Sequence, residues 1–283
     1  MNSTYPPILD TLGLGRPVQL TRVAGGCIAQ AQVAVFSNGA AVFVKCLEDA
    51  PGMFECEASG LRALAGTGAI RVPEVLAVDP TALVLEVINE GRKGPGFFET
   101  FGRAFADLHT HHGPAFGFPH DNFIGSTIQQ NGYHATWDEF FLERRLGFQV
   151  RLAAERGHGH DLEKLLERAE PRIRALLNEA AEPPCLLHGD LWSGNFLVDE
   201  KGEACLIDPA VYYGHREADL AMTRLFGGFG TDFYDAYQEA LPLEPGFSER
   251  LEIYQLYHLL NHLNLFGRAY YSQCSGILQR YSA

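Results

Sequence analysis

The sequence predicts a two-lobed α+β protein, a small β-rich lobe with one helix followed by a larger, mainly helical lobe. Three observations carry that expectation. From about Val18 to Glu86, short apolar runs alternate with turn residues. After Gly91 the apolar spacing lengthens to that of helices. The 283 residues are also enough to bury two cores. The expected division is a smaller first lobe at residues 1–88 and a larger second lobe at 89–283.

In the first lobe, Ala31 to Phe36 and Ala40 to Cys46 read as a hairpin closed by Ser37-Asn38-Gly39, since Asn-Gly suits a tight turn. Pro51-Gly52 opens a helix to about Ala65, with Phe54, Leu61 and Leu64 on one stripe. Val75 to Val78 and Ala82 to Val87 follow as strands around Asp79-Pro80. In the second lobe, Phe98, Phe101, Phe105 and Leu108 share a helical face. Trp137 to about Leu152 forms another helix, and Leu162 to Ala180 a third that Pro171 is expected to interrupt. The last, Leu251 to Tyr271, carries Leu256, Leu259, Leu260 and Leu263 at helical spacing.

Composition narrows the function classes. No apolar run approaches the roughly 18 residues of a membrane span, and MNSTYPPILD lacks a basic stretch leading into an apolar one, so a cytoplasmic location is expected. Six scattered cysteines (Cys27, Cys46, Cys56, Cys185, Cys205 and Cys274), without a CxxC pair, read as reduced thiols. A formal charge of −13 argues against a nucleic-acid partner and is compatible with a cationic small substrate.

The chemistry concentrates in a few residues. Lys45 ends a strand that is apolar on both faces, and such a lysine must reach solvent or meet an anion. Glu57, twelve residues on, falls on the core-facing stripe of the next helix and needs a partner too. Together they read as the ion pair that holds a lysine against ATP phosphates in kinases. Upstream, Gly25, Gly26 and Cys27 lie in VAGGCIAQA between two strands, where glycines let backbone N–H groups approach phosphate. Cys27 reads plainly as a small loop residue, and the sharper alternative is a redox-sensitive thiol.

HGDLWSGN, residues 188–195, sits between apolar Cys185-Leu186-Leu187 and Phe196-Leu197-Val198. The plain reading is a hairpin loop. The sharper one is a catalytic loop, because Asp190 and Asn195 have the D-x-x-x-x-N spacing of kinases. There a carboxylate accepts the acceptor's hydroxyl proton and an amide oxygen binds Mg²⁺. His188 is then a packing residue. Asp208, thirteen residues after Asn195, ends an apolar run and supplies a charged metal ligand. Two absences choose a small-molecule kinase. Gly189 stands where a regulated protein kinase has arginine, and only ten residues separate Asp208 from Asp219, too few to dock a peptide. The clustered His109, His111 and His112 close a helix, where imidazole suits the C-terminal end. A non-catalytic nucleotide binder would lack at least one of Lys45, Asp190, Asn195 and Asp208.

These residues resemble the fructosamine kinase (ketosamine-3-kinase) family, of the aminoglycoside-phosphotransferase and protein-kinase-like fold. The carriers are GGCIAQA, FVK, FECEASGL, DNFIGSTIQQN, WDEFFLERRL, HGDLWSGN and DPAVYYGHREADLAMTRLFGGF, spread over nearly the whole chain. The resemblance implies ATP-dependent phosphorylation of the O3 hydroxyl of a ketoamine formed by glycation, hence a repair role. It implies Asp190 as base, Asn195 and Asp208 as Mg²⁺ ligands, and Lys45 with Glu57 as the phosphate-positioning pair. It also implies Leu85 to Ile88 (Glu86, Val87 and Ile88 included) as an adenine-binding hinge acting through its backbone. Trp192 is a candidate platform for the sugar ring, Arg216 and Glu217 are candidate substrate contacts, and Asp219 is a helix N-cap and brace for the catalytic loop. An aminoglycoside- or choline-type phosphotransferase on the same fold is the rival reading.

Overall fold

The computed structural model describes residues 5–23, 29–48 and 52–282. The chain forms two compact units, Met1–Phe97 with Phe196–Pro209, and Phe98–Asn195 with Ala210–Ala283.

The first unit holds a five-stranded antiparallel sheet, β1 (Pro17–Val23), β2 (Gln30–Phe36), β3 (Ala41–Cys46), β4 (Val75–Asp79) and β5 (Ala82–Glu86), in the order β1-β2-β3-β5-β4. The hairpin at Asn38-Gly39 forms as its residues dictate. Gly39 adopts φ +85°, and the Asn38 side-chain oxygen accepts the Ala40 N–H at 3.0 Å. Ala34, Phe36, Val42, Val44, Ala82 and Val84 pack on one face beneath the turn Pro7–Leu12, through Ile8 and Leu9. That register puts Lys45 on the opposite face of β3. The helix α1 (Met53–Ala65) buries Phe54, Ala58, Leu61 and Leu64, with Gly52 at φ +81° before it.

The chain returns to this unit at Phe196–Val198, which pairs antiparallel with Ala204–Leu206. Arg71 fastens the returning segment. Its guanidinium meets Glu86 of β5 at 2.6 Å, buried Asp199 at 2.6 Å and Glu200 at 3.2 Å.

The second unit is mainly helical. Residues 137–155 form one helix whose middle, Phe141–Gly147, is wound as a π-helix. There Arg145, fully buried, donates to the Gln130 carbonyl and the Asn131 side chain, and its guanidinium lies 4.0 Å from the Tyr212 ring centroid. Asp161–Asn178 is a single helix running through Pro171, contrary to the expected interruption. Pro171 is exposed, so the carbonyl it leaves unbonded can be hydrated. Meanwhile Leu162, Ala169, Ile173, Leu176 and Leu177 bury the opposite stripe. The long C-terminal helix is Phe247–Phe266, stopping at Gly267 (φ +88°) rather than at Tyr271, and a further helix, Tyr271–Tyr281, follows. Among the described residues no helix is long and apolar enough to cross a membrane.

Candidate active site

The loop HGDLWSGN is not a hairpin. The strand before it, Cys185–Leu187, pairs with Tyr212–Gly214 in the second unit. The strand after it belongs to the first unit. The loop is therefore held by contacts of its own. The Asp219 carboxylate accepts the N–H of His188 at 2.7 Å and of Gly189 at 2.8 Å. Gly189 sits at φ +83°, and a Cβ there would overlap the Ala210 carbonyl oxygen. The motif's second position thus requires glycine for steric reasons. The Asn195 side-chain amide donates to the Asp190 carbonyl at 2.8 Å. The Asn195 backbone N–H donates to the Trp192 carbonyl at 2.9 Å, and the two bonds curl the loop between Asp190 and Asn195. His188 is buried, and its Nδ1 accepts the Asp190 N–H at 3.3 Å.

Asp219 lies inside the helix Glu217–Leu225, so it braces the loop but does not cap the helix; Arg216 occupies the cap position. Burial alone would raise the Asp219 pKa, but hydrogen bonds from His109 and the loop backbone outweigh it and hold the carboxyl below its usual range. A depressed folded pKa stabilises fully above the unfolded value of about 3.9 and loses that contribution as pH falls through the folded value. Wild-type stability to urea should therefore fall more steeply below about pH 4 than that of Asp219→Asn. Equal slopes in a pH series would contradict this.

Several residues behind this loop carry no local signal of a role in the site. His109, just beyond the helix Phe97–Leu108, is buried, with Nε2 3.3 Å from Asp219 and Nδ1 2.8 Å from the Tyr237 hydroxyl. His111 does close the helix, with Nδ1 near the Asp107 and Leu108 carbonyls. His258 places its buried Nδ1 3.7 Å from Asp190 Oδ1, and burial with the neighbouring His262 lowers it to about 3, so it stays neutral beside the carboxylate.

In the first unit, the Lys45 ammonium pairs with Glu57 at 2.7 Å and also with Asp208. Burial would lower its pKa, but the two carboxylates outweigh burial and keep it charged. Asp208, with its side chain 47% exposed, is the one non-glycine with positive φ (54°) among the described residues. Such an αL backbone costs of order 1–3 kcal/mol and concentrates at functional sites. Glu86 spends its side chain on Arg71, and its N–H donates to the Glu74 carbonyl at 2.9 Å. Val87 and Ile88 follow directly after β5. Gly25, Gly26 and Cys27 lie outside the described residues.

Arg216 and Glu217 stand elsewhere than expected. Arg216 forks onto Glu182 at 2.6 and 2.7 Å and donates to the Leu241 and Pro242 carbonyls. Glu217 is fully buried against Arg250, with contacts of 2.6 and 2.8 Å. Both are committed to internal pairs, which removes them as substrate contacts. Trp192 remains exposed, its ring lying over Gly194.

A charged lysine held by a strand-helix ion pair and a D-x-x-x-x-N loop, carried on this fold, define a small-molecule phosphotransferase of the kinase-like class. A family model described as fructosamine kinase matches residues 9–283. The chain belongs to the fructosamine kinase family. It is 42% identical to a probable ketoamine kinase of Synechocystis sp., over 96% of this chain and 94% of that protein. It is 39% identical to the chloroplastic protein-ribulosamine 3-kinase of Arabidopsis thaliana, over 94% and 84%. A crystal structure from Thermobifida fusca, assigned as a fructosamine-3-kinase, superposes with a TM-score of 0.88 at 34% identity over 99% of both chains. An aminoglycoside phosphotransferase bound to ADP and hygromycin B shares the fold, with a TM-score of 0.65 at 16% identity over 97% and 96%.

Proposed function

We propose that the protein transfers the γ-phosphoryl group of ATP to the O3 hydroxyl of a ketoamine, a step that destabilises the adduct and so repairs glycated amines. The observation that best supports this reading is the loop around Asp190, whose carboxylate is set by Asn195 and by the Asp219 brace. Asp190 takes the hydroxyl proton as the oxygen attacks in line. Lys45, kept charged by Glu57, contacts the phosphates, and the backbone of residues 85–88 holds adenine. Trp192 offers a flat apolar platform to the sugar ring.

The chemistry of each proposed ligand suits Mg²⁺. Asp208 offers a half-exposed carboxylate, and Asn195 commits its amide nitrogen to Asp190, leaving its oxygen as an acceptor. One or two protein oxygens plus substrate phosphates are what Mg²⁺ ordinarily takes. When bound it neutralises charge on the β- and γ-phosphates.

Lys45→Met should lower kcat/KM for ATP roughly 10- to 100-fold, the value of one hydrogen bond to a charged group. An unchanged ATP dependence would remove Lys45 from this role. The reading as a whole is tested by ³¹P and ¹³C NMR of the product from a fructosamine or ribulosamine. Phosphate at C3 is expected. Turnover of an aminoglycoside or choline, with none of any ketoamine, would overturn it.

A further inference from the structure

We propose that an exposed aromatic row in the second unit binds the amine arm of the acceptor, a protonated secondary amine bearing a long apolar chain. The proposal rests on the ketoamine reading above and specifies which part of that substrate the row selects. The row begins in the catalytic loop. Trp192 meets Phe226 edge-on at 6.2 Å, and Phe226 lies 5.0 Å from His262. His262 in turn lies 5.3 Å from Phe266 and 5.2 Å from Tyr270. His258, His262 and Phe266 are four residues apart on the helix Phe247–Phe266, hence on one face. His258 stands beside Asp190, so the row runs outward from the base over about 12 Å of helix.

Its exposure is what calls for an occupant. Trp192 is 38%, Phe226 43% and Phe266 58% exposed, three of the eight large apolar side chains left so open among the described residues. The other five are not part of this row of rings, and a contiguous patch, unlike scattered single residues, marks a binding surface.

The chemistry of the substrate fits this surface. In a ketoamine the nitrogen lies three bonds from C3, so a sugar presenting O3 to Asp190 directs its amine away from the base. That nitrogen is a secondary ammonium at neutral pH, and aromatic faces attract such a cation. Burial holds His262 below the usual histidine range, so the row itself carries no positive charge. The nearby Arg268 guanidinium stacks on Tyr271, 5.3 Å from its ring centroid. The chain's net charge of −13 favours a cationic arm as well. Beyond the nitrogen, a methylene chain such as that of lysine would lie against Phe266 and Tyr270.

The test uses ketoamines of one sugar on methylamine, butylamine and benzylamine, assayed with the full chain, Phe226→Ala and Phe266→Ala. Wild type should favour the longer arms. Each variant should lower the benzyl-to-methyl ratio of kcat/KM about 3- to 10-fold. Binding is followed in parallel by quenching of Trp192 emission, Trp137 being buried, and this readout needs no phosphoryl transfer. Arm-dependent quenching that Phe266→Ala abolishes, without turnover of any ketoamine, would support the row while removing the O3-kinase reading. Turnover independent of the arm and of both variants would overturn the row and leave that reading intact. A dimer that dissociates in Phe266→Ala, with the arm ratio unchanged, would assign the row to a contact between copies and also overturn the proposal.

Discussion

Asp190→Asn is expected to lower kcat by about 10²- to 10⁴-fold, the usual value of a positioned general base. The amide keeps the size of the side chain and loses its negative charge, and with it the capacity to take a proton. The loop does not depend on that carboxylate for its shape. Asp219 holds the His188 and Gly189 N–H groups, and Asn195 binds the Asp190 main-chain carbonyl. Melting temperature and the stabilisation by ATP should therefore stay near wild type while turnover is lost. Retained turnover would take Asp190 out of the base role, and a collapse of melting temperature would show that the loop relies on the carboxylate after all.

The second large effect is on stability. Arg250→Met should destabilise the protein by about 3–5 kcal/mol, because it strands the Glu217 carboxylate, fully buried, without its partner. At roughly 2–4 °C per kcal/mol for a chain of this size, the loss is a fall of roughly 6–20 °C in melting temperature. The double variant Arg250→Met/Glu217→Leu removes both charges and should recover most of that loss, since a buried pair replaced by apolar side chains is often neutral. Single and double variants that melt together would refute the stranded-charge account. The outcome also bears on catalysis, because Glu217 opens the helix that carries Asp219. Loosening that helix should cost turnover in the single variant and spare it in the double.

Much of the site was legible locally. The spacing of Asp190 and Asn195 is a property of one loop, and Lys45 and Glu57 are read from a strand and the next helix. Each follows from a short-range rule about which side a residue faces. The Asn38-Gly39 hairpin and the stripe of α1 follow from the same rules. Where residues act through distant partners, those rules were silent or wrong. Arg216 and Glu217 sit in a motif beside the catalytic elements and looked like substrate contacts. Glu182 and Arg250 claim them instead, and nothing near them in sequence announces either partner. His109 read as the end of a helix, and only the fold brings it to Asp219.

The amino-acid order by itself determined the chemistry available to this protein, a lysine near the end of a strand, and two aspartates and an asparagine outside the regular elements. Only the tertiary structure decided what holds those groups still. Asp219 beneath the loop, Arg71 across Glu86 and Asp199, and the pairs Arg216–Glu182 and Arg250–Glu217 join residues between 15 and 128 positions apart. Local propensity acts over a few residues, whereas the cost of burying a charge is met by whichever opposite charge the packing delivers.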